Sequence, residues 1–255
     1  MTDQKISDFI KNRAKRWWKD KEPHPLKNLG GKQEGRKFAS DLSIKVPKLH
    51  AKFPTINSLP DLKELPEKFV LKPIRGWSSK NVFLISDGME ISQNQPVTRE
   101  TIIKTVGDTE TVPFIAEEML IDEDHRPGAP RDYKFYCFGD RIAFIHVVER
   151  NSLSDLTVNR HWFLTEDWKQ LGIKIQASQT SEPDVPPRPA CYDELIKSVK
   201  DLGAAVAMFM RIDMYATTRG AIFGEFTPQP HGGNGYTKEA DLWLGSFWVG
   251  TEGFE

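Results

Sequence analysis

The sequence lacks the features that mark several common classes of protein. Cysteine occurs only at Cys137 and Cys191, which excludes a disulfide framework and a cysteine-rich metal site. No apolar run approaches the roughly 20 residues that a membrane-spanning helix requires, and the first residues, MTDQKISDF, do not form a signal peptide. An excess of one charge is also lacking, because the net charge is −1. We therefore expect a cytoplasmic protein without a transmembrane segment and without a nucleic-acid partner.

The chain has enough apolar material for a substantial core. It contains 255 residues, of which 38% are hydrophobic and 11% are aromatic. A chain of this length can bury its core as one large domain or as two closely packed lobes. The glycines, prolines and alternating apolar residues along it predict short strands and hairpins mixed with a few helices, an α+β protein.

The most informative stretch is 210–227, MRIDMYATTRGAIFGEFT. Apolar and polar residues alternate on both sides of Gly220, which predicts two strands joined by a tight turn. The predicted cross-strand pairs are Asp213 with Glu225, Arg211 with Thr227, and Tyr215 with Phe223. Because side chains alternate between the two faces of a strand, these six residues are expected on one face. The opposite face is expected to hold Met210, Ile212, Met214, Ile222 and Phe226.

Two directly opposed carboxylates repel each other unless one is protonated or a cation lies between them. Carboxylate and hydroxyl oxygens are ligands that Mg²⁺ prefers, often together with phosphate oxygens of a substrate. Arg211 on the same face adds a fork of donors for an anion. The alternative is a solvated surface on which Arg211 simply neutralises Asp213.

The segment 6–21 is predicted to be helical and contains a basic stretch with the adjacent pair Trp17 and Trp18. Such a mixture suits an anionic membrane surface, as a peripheral contact, or a polyanionic partner. The interpretation that we favour is a surface helix whose tryptophans pack on the body of the protein.

Three further stretches carry charge within apolar strands. The first, 69–85, places Lys72 in a strand that precedes the loop 73–80, which is rich in donors for phosphate. The second is the acidic strand FIAEEML at 114–120, and the third is the strand DYKFYCF at 132–138 with Lys134 inside it. Lysine within a buried run requires a partner, which makes both lysines candidate site residues. A glycine-rich loop, PQPHGGNG, follows the central hairpin.

In this order, these stretches resemble the ATP-grasp superfamily, and most of all its TupA-like branch, named for teichuronopeptide biosynthesis. The resemblance rests on FVLKPIRGWSSKNVFLI, FIAEEML, RDYKFYCF and RIDMYATTRGAIFGEFTPQPHGG, and covers about 34–245. It implies an ATP-grasp fold, in which two antiparallel-sheet subdomains with flanking helices clamp ATP. The expected divisions are a reduced, basic and aromatic N-terminal helical segment (1–33), an N-terminal lobe (34–113) and a C-terminal lobe (114–255).

The resemblance implies a role for particular residues. Asp213 and Glu225 match magnesium ligands, with Thr227 at the position of a third ligand. Lys72 matches a lysine that contacts phosphates, and Arg211 matches an arginine that stabilises the transferred group; both are the expected catalytic residues. The remaining expected ATP-binding residues are Arg36 or Lys37, Gly76, Trp77, Ser78, Ser79, Glu117 near the adenine amino group, Glu118, Leu120 at the hinge, and Lys134. The candidate substrate residues are Arg150, Gln229, His231, Gly232 and Gly233.

The resemblance also implies an activity that uses ATP and Mg²⁺. The expected reaction is carboxylate–amine ligation through an acyl phosphate, with small-molecule carboxylate and amine substrates. A uronic acid of a surface polysaccharide precursor, an amino acid or a polyanionic glycan are the expected substrate classes. The alternatives are a small-molecule kinase and a nucleotide-binding module without turnover. Lys134 and Arg150 each have two possible roles: contact with an acceptor carboxylate, or a structural ion pair.

Overall fold

A computed structural model of the protein describes residues 4–74, 80–107, 112–126, 128–152 and 155–255. Its α-helices are α1 (Ile6–Ala14), α2 (Lys32–Asp41), α3 (Arg99–Val106), α4 (Tyr192–Val206) and α5 (Lys238–Gly245). A π-helical segment, Lys15–Lys19, continues α1. Short 3₁₀ segments span Ile56–Ser58, Leu62–Glu64, Leu156–Val158 and Pro230–Gly233.

The described strands form two antiparallel sheets. The first sheet has the order β1-β6-β2-β3-β4-β5. Its strands are β1 (Leu49–Phe53), β2 (Lys68–Pro73), β3 (Phe83–Ser86), β4 (Met89–Glu90), β5 (Gln95–Pro96) and β6 (Phe114–Glu118). The second sheet has the order β11-β10-β7-β8-β9. Its strands are β7 (Asp132–Phe138), β8 (Arg141–Glu149), β9 (Arg160–Leu164), β10 (Phe209–Thr217) and β11 (Gly220–Thr227).

Because side chains alternate along each strand, one face of the first sheet packs in a core and the other face lines a cavity. Phe69 and Leu71 of β2 join a cluster with Phe114 and with Ile102 of α3. Val70 and Lys72, which alternate with them, line a cavity on the opposite face. Thr98 caps α3 by accepting a hydrogen bond from the Thr101 amide, as its position before the helix predicts.

Helices pack on both faces of the second sheet, but they cover one face only in part. One face packs against α4 and α2, in a cluster that includes Leu195, Val199, Ala39, Met210 and Phe226. The other face is covered over part of its area by α1 and α5, where Tyr136, Phe138 and Phe144 pack with Ile10 and Leu244. The uncovered part of this second face carries the polar residues of the cavity.

Two elements pack in a different sheet layer from the lobe to which the sequence assigned them. Strand β6, expected to begin the C-terminal lobe, is hydrogen-bonded between β1 and β2 in the first sheet. Helix α2, expected in the N-terminal lobe, packs through Ala39 in the cluster of the second sheet. Helix α5 and the short strands β4 and β5 are further elements that we did not predict.

The register of the central hairpin differs from the prediction at one point. Asp213 pairs with Glu225 and Arg211 pairs with Thr227, as predicted. Beyond Asp213 a bulge shifts the register, so that Tyr215 pairs with Ile222 and the predicted pair of Tyr215 with Phe223 is wrong. The bulge leaves Gly224 as the extra residue, and a Cβ there would lie 2.9 Å from the Asp213 carbonyl oxygen. Phe223 consequently pairs with Met214 and joins the core cluster that contains it.

The N-terminal segment separates its two tryptophans. Trp17 is only 1% exposed, whereas Trp18 is 53% exposed. Packing on the body, the interpretation that we favoured, therefore holds for Trp17 alone. In the part of the chain that the structure describes, no helix is long and apolar enough to cross a bilayer.

Candidate functional site

A cavity of about 620 Å³ lies between the two sheets. One wall comes from β2 and β6, through Val70, Lys72, Ile115 and Glu117. The facing wall comes from β7, β10 and β11, and its polar members are Asp132, Lys134, Arg211, Asp213, Tyr215, Glu225 and Thr227. Helix α2 contributes Lys32 and Arg36. Most of the residues that the sequence singled out are thus brought to one place by strands that are distant in sequence.

Arg211 connects the two opposed carboxylates of the central hairpin. Its Nε and Nη2 atoms donate to the two oxygens of Asp213 at 2.7 and 2.8 Å. Nη2 also donates to Glu225 at 3.1 Å. The Asp213 side chain is 2% exposed, whereas the Glu225 side chain is 43% exposed. The arginine therefore neutralises the buried carboxylate more fully than the outer one.

The pKa values of the two carboxylates shift in opposite directions. Burial alone would raise the pKa of Asp213, but the charges of Arg211 and Lys134 outweigh burial and hold that pKa below its usual value. For Glu225, burial and the neighbouring Asp213 carboxylate raise the pKa above its usual value, against the opposing effect of Lys134 and Arg211. Negative charge at Glu225 is therefore only partly compensated by the protein itself.

The uncompensated part of the charge on Glu225 indicates whether these residues could bind Mg²⁺. A divalent cation between Asp213 and Glu225 would lower the pKa of Glu225 and remove the repulsion. Within the described ranges, no group of three or more His, Cys, Asp or Glu side chains is arranged to hold a metal ion. Mg²⁺ is commonly bound by one or two carboxylates, with water and phosphate oxygens completing its shell. Two carboxylates with the nearby Thr227 hydroxyl fit that pattern.

Two cations of the cavity converge on Glu117. The Lys72 ammonium contacts one oxygen of this carboxylate, and Arg36 Nη1 lies 3.1 Å from the other oxygen. Lys72 and Arg36 therefore lie together on the cavity wall. The neighbouring Lys37 instead pairs with Asp41 at 2.6 Å, and its side chain is 76% exposed. The structure therefore places Arg36, rather than Lys37, in this cavity.

Lys134 lies at the centre of an ion-pair network. Its Nζ atom is 2.6 Å from Asp213 and 3.5 Å from Asp132. Arg150 also contacts Asp132 through Nη2. The pKa of Asp132 is lowered because Lys134 and Arg150 outweigh the effect of burial. Both Lys134 and Arg150 line the cavity, so their ion pairs and a contact with substrate are compatible.

The remaining predicted residues divide between the cavity and its surroundings. Glu118, Leu120 and His231 line the cavity. The residues expected to cover the phosphates, Gly76, Trp77, Ser78 and Ser79, lie outside the described residues. Gln229, Gly232 and Gly233 are not among the lining residues. Gln229 instead accepts a hydrogen bond from the exposed Trp18 at 3.3 Å.

Sequence reasoning missed two charged residues of the cavity, Lys32 and Asp132. Lys32 lies one turn before Arg36 on α2, and its Nζ donates to the Pro73 carbonyl oxygen at 3.0 Å. Burial and the neighbouring Lys72 lower the pKa of Lys32. The spacing of four residues on a helix was a usable signal for Lys32. The spacing of two residues from Lys134 on a strand was the equivalent signal for Asp132.

Comparison with known proteins gave one family and a set of similar folds. A model of the family described as TupA-like ATPgrasp matches residues 10–249. VanG D-Ala:D-Ser ligase from Enterococcus faecalis and D-alanine–D-alanine ligase from Helicobacter pylori are each 16% identical to this chain, at a TM-score of 0.50. The aligned regions cover 88% and 81% of this chain, and 59% and 56% of those ligases.

A third similar structure is the L-amino acid ligase from Bacillus licheniformis, at 14% identity and a TM-score of 0.47, covering 87% of this chain and 46% of that one. No curated protein sequence matches this one significantly. The chain spans just over half the length of the VanG and Helicobacter pylori ligases. At these identities the likeness shows the fold, two antiparallel sheets arranged as in those ligases.

Proposed function

The chain belongs to the TupA-like ATP-grasp family, and from that premise we propose that it is an ATP- and Mg²⁺-dependent ligase that joins a carboxylate to an amine through an acyl phosphate. The observation that carries the proposal is the composition of the cavity. Cations from α2 and β2, Arg36 and Lys72, face the carboxylates and arginine of the β10–β11 hairpin across one space. The similar solved structures named as amino acid ligases support the same class of reaction.

Phosphoryl transfer depends mainly on positioning and on neutralising phosphate charge. Lys72 and Arg36 would bind phosphate oxygens of ATP, exchanging their contacts with Glu117 for contacts with the nucleotide. Asp213, Glu225 and Thr227 would hold Mg²⁺, which supplies positive charge to the phosphates when bound. Glu118, the last residue of β6, and Leu120, two residues beyond it, are proposed to lie against the base.

Arg211 is proposed to stabilise the oxyanion that forms when the amine attacks the acyl phosphate. Its guanidinium is already oriented by Asp213 and Glu225 through three hydrogen bonds. A donor that is oriented before the reaction need not reorganise as charge develops, and such donors commonly account for a factor of about 10²–10³ in rate. Arg150 and Lys134 are proposed to attract the carboxylate substrate, because both line the cavity and both carry positive charge.

For the substrates we propose a small carboxylate and an amino acid or other small amine, used in the cytoplasm where ATP is available. Solved structures with a similar fold are named as ligases of D-alanine, D-serine and L-amino acids. The branch to which this chain belongs is named for a peptide-bearing polysaccharide, which supports a uronic acid as the carboxylate. A polyanionic glycan would meet the basic side chains of α1 and its π-helical continuation.

The proposal is tested by ATP turnover with Mg²⁺ against amino acids, uronic acids and small dicarboxylates, with hydroxylamine as a trap. ADP together with a hydroxamate would support the ligase and would identify its carboxylate. ADP with a phosphorylated alcohol and no hydroxamate would instead identify a kinase. ATP binding without ADP formation against the whole panel would favour a module without turnover. Asp213→Asn serves as the inactive control and Lys37→Gln as the active one.

A further inference from the structure

His231 lies at the rim of the cavity in a backbone conformation that few residues adopt. Its φ is +52°, and the φ of Gly232 is +60°, within the segment Pro230–Gly233. A side chain in the left-handed region is uncommon outside glycine, and such strained residues concentrate at functional sites. The same imidazole lines the cavity together with Arg211 and Asp213. The backbone thus holds a potential base beside the proposed reaction centre.

A buried amide orients the imidazole. The side-chain nitrogen of Gln176 lies 2.7 Å from His231 Nε2, and Gln176 is only 4% exposed. Gln176 is held in place by a β-bridge with Tyr236 and by a hydrogen bond from the Ala177 amide to the Gly235 carbonyl. A base with a fixed orienting partner is the usual arrangement of groups that transfer protons.

The charges around His231 favour its neutral form. The residue is exposed overall, yet desolvation against the cavity wall lowers its pKa, and the cations Arg211 and Lys134 lower it further, while Asp213 has the opposite but smaller effect. His146 is a further titratable group within electrostatic range, and burial lowers its own pKa well below the usual value. A neutral imidazole can accept a proton at neutral pH, which a protonated one cannot.

The carboxylates of the cavity are already paired. Each carboxylate that lines the described part of the cavity contacts at least one cation: Glu117 with Lys72 and Arg36, Glu118 with Arg219, Asp132 with Arg150, and Asp213 and Glu225 with Arg211. A carboxylate held by a cation is a weak base, and Glu225, whose pKa is instead raised, is a proposed ligand of the metal. His231 is therefore the best-placed group for removing a proton from a substrate.

We propose that His231 accepts the proton that the amine substrate must lose before it attacks the acyl phosphate, and that Gln176 is its positioning residue. This role rests on the proposed ligase function. Amide oxygen and nitrogen exchange places by a half-turn of the side chain. With the Gln176 oxygen toward the ring, His231 Nε2–H donates to it and Nδ1 keeps a lone pair for the incoming proton.

The step balances without a further reagent. An ammonium group has no lone pair, so it first gives one proton to the imidazole. Its nitrogen then forms the C–N bond to the acyl carbon. The C–O bond to phosphate breaks with its electron pair going to the phosphate, which takes the second proton from nitrogen. The products are the amide, inorganic phosphate and a protonated imidazole that returns its proton to water.

The test compares two nucleophiles, with D-glucuronate and ATP as the other substrates. Hydroxylamine is largely unprotonated at pH 7 and needs no base, whereas glycine carries an ammonium group. His231→Asn is expected to slow amide formation with glycine by about 100-fold, the scale of general base catalysis, and to leave hydroxamate formation nearly unchanged. Raising the pH is expected to restore part of the lost rate. His161→Gln is the matched control, because His161 lies on β9 of the second sheet and does not line the cavity.

Each outcome has a definite meaning. Equal losses with both nucleophiles, or a loss with glycine in His161→Gln as well, would overturn the role of His231. Absence of a hydroxamate from the unaltered protein would count against the ligase proposal for this carboxylate instead. In that event an NMR titration of the His231 ring still decides the present inference, because a pKa above 7 would contradict a neutral base.

Gln176→Glu tests the positioning role separately. A carboxylate against the ring should raise the pKa of His231 and move the acidic limb of the glycine reaction to higher pH. Hydroxamate formation should keep its pH profile. If the acidic limb does not move, Gln176 does not position the base.

Discussion

Glu225 stands directly opposite Asp213 across the β10–β11 hairpin, and a single arginine, Arg211, donates hydrogen bonds to both carboxylates. The pair is asymmetric, because Lys134 also contacts Asp213, at 2.6 Å. The result is a lowered pKa for Asp213 and a raised pKa for Glu225. Substitutions at the two positions should therefore change stability in opposite directions while both reduce turnover.

Glu225→Gln is expected to stabilise the folded protein at pH 7. A carboxyl group whose pKa is raised on folding binds its proton more tightly in the folded state, so stability falls as the pH rises between the unfolded and folded pKa values. Removing the charge removes that cost at neutral pH, and the difference should vanish in acid, below the ordinary value of about 4.3. Thermal unfolding at pH 7 and pH 4 provides the measurement. A lower Tm for the variant at pH 7 would contradict the prediction.

Asp213→Asn is expected to have the opposite effect on stability. A depressed pKa contributes stability above the unfolded value, and this contribution is lost as the pH falls through the folded value. The variant should unfold at a lower temperature than the unaltered protein at pH 7, with the difference fading toward acid. ADP release should fall by at least about 100-fold, as expected for an enzyme that loses a charge at the phosphates. Full activity in both Asp213→Asn and Glu225→Gln would refute the metal site.

The neighbours Arg36 and Lys37 form a matched pair for testing the nucleotide site. Arg36 faces the cavity beside Lys72, whereas Lys37 pairs with Asp41 on the surface. Arg36→Gln should weaken ATP binding by about 10–100-fold, the value of a charge-assisted hydrogen bond of about 1.5–3 kcal/mol. Lys37→Gln should leave the Kd nearly unchanged, and calorimetric titration with ATP separates the two. Similar losses in both variants would argue against the site as described.

Arg13 is expected to be essential for attachment of the N-terminal helix. Its guanidinium donates to the carbonyl oxygens of Phe209, Pro228 and Glu252, and its Nε lies 2.8 Å from the Glu252 carboxylate. Arg13→Ala would leave buried acceptors without partners and should cost about 3–5 kcal/mol in the free energy of unfolding. Urea denaturation measures this loss. The exposed Lys11 on the same helix provides the control, since Lys11→Ala should change stability by less than about 0.5 kcal/mol.

Residues on strands were the most accessible to prediction. The alternation in 210–227 was sufficient to place Arg211, Asp213, Glu225 and Thr227 on one face with their correct partners. It failed beyond Asp213, because a bulge inserts one residue and exchanges the faces of Ile222 and Phe223. The signal for such a bulge is Gly224, where the bulged strand passes close to the Asp213 carbonyl. Glycine in a strand also has other causes, so the pattern was not decisive.

By itself the sequence determined the strands, the opposed carboxylates and the order of charged segments, because each depends on residues near one another along the chain. Only the tertiary structure decided which charges share a cavity. Arg36 and Lys37 are adjacent, and packing of Ala39 and α2 against the second sheet turns one inward and the other to solvent. Lys134 meets Asp213, and Asp132 lies opposite Tyr215, because β7 pairs with β10 across a long stretch of chain. Such contacts arise from burial and from pairing between strands that are distant in the sequence. A pattern within a short stretch of sequence therefore cannot predict them.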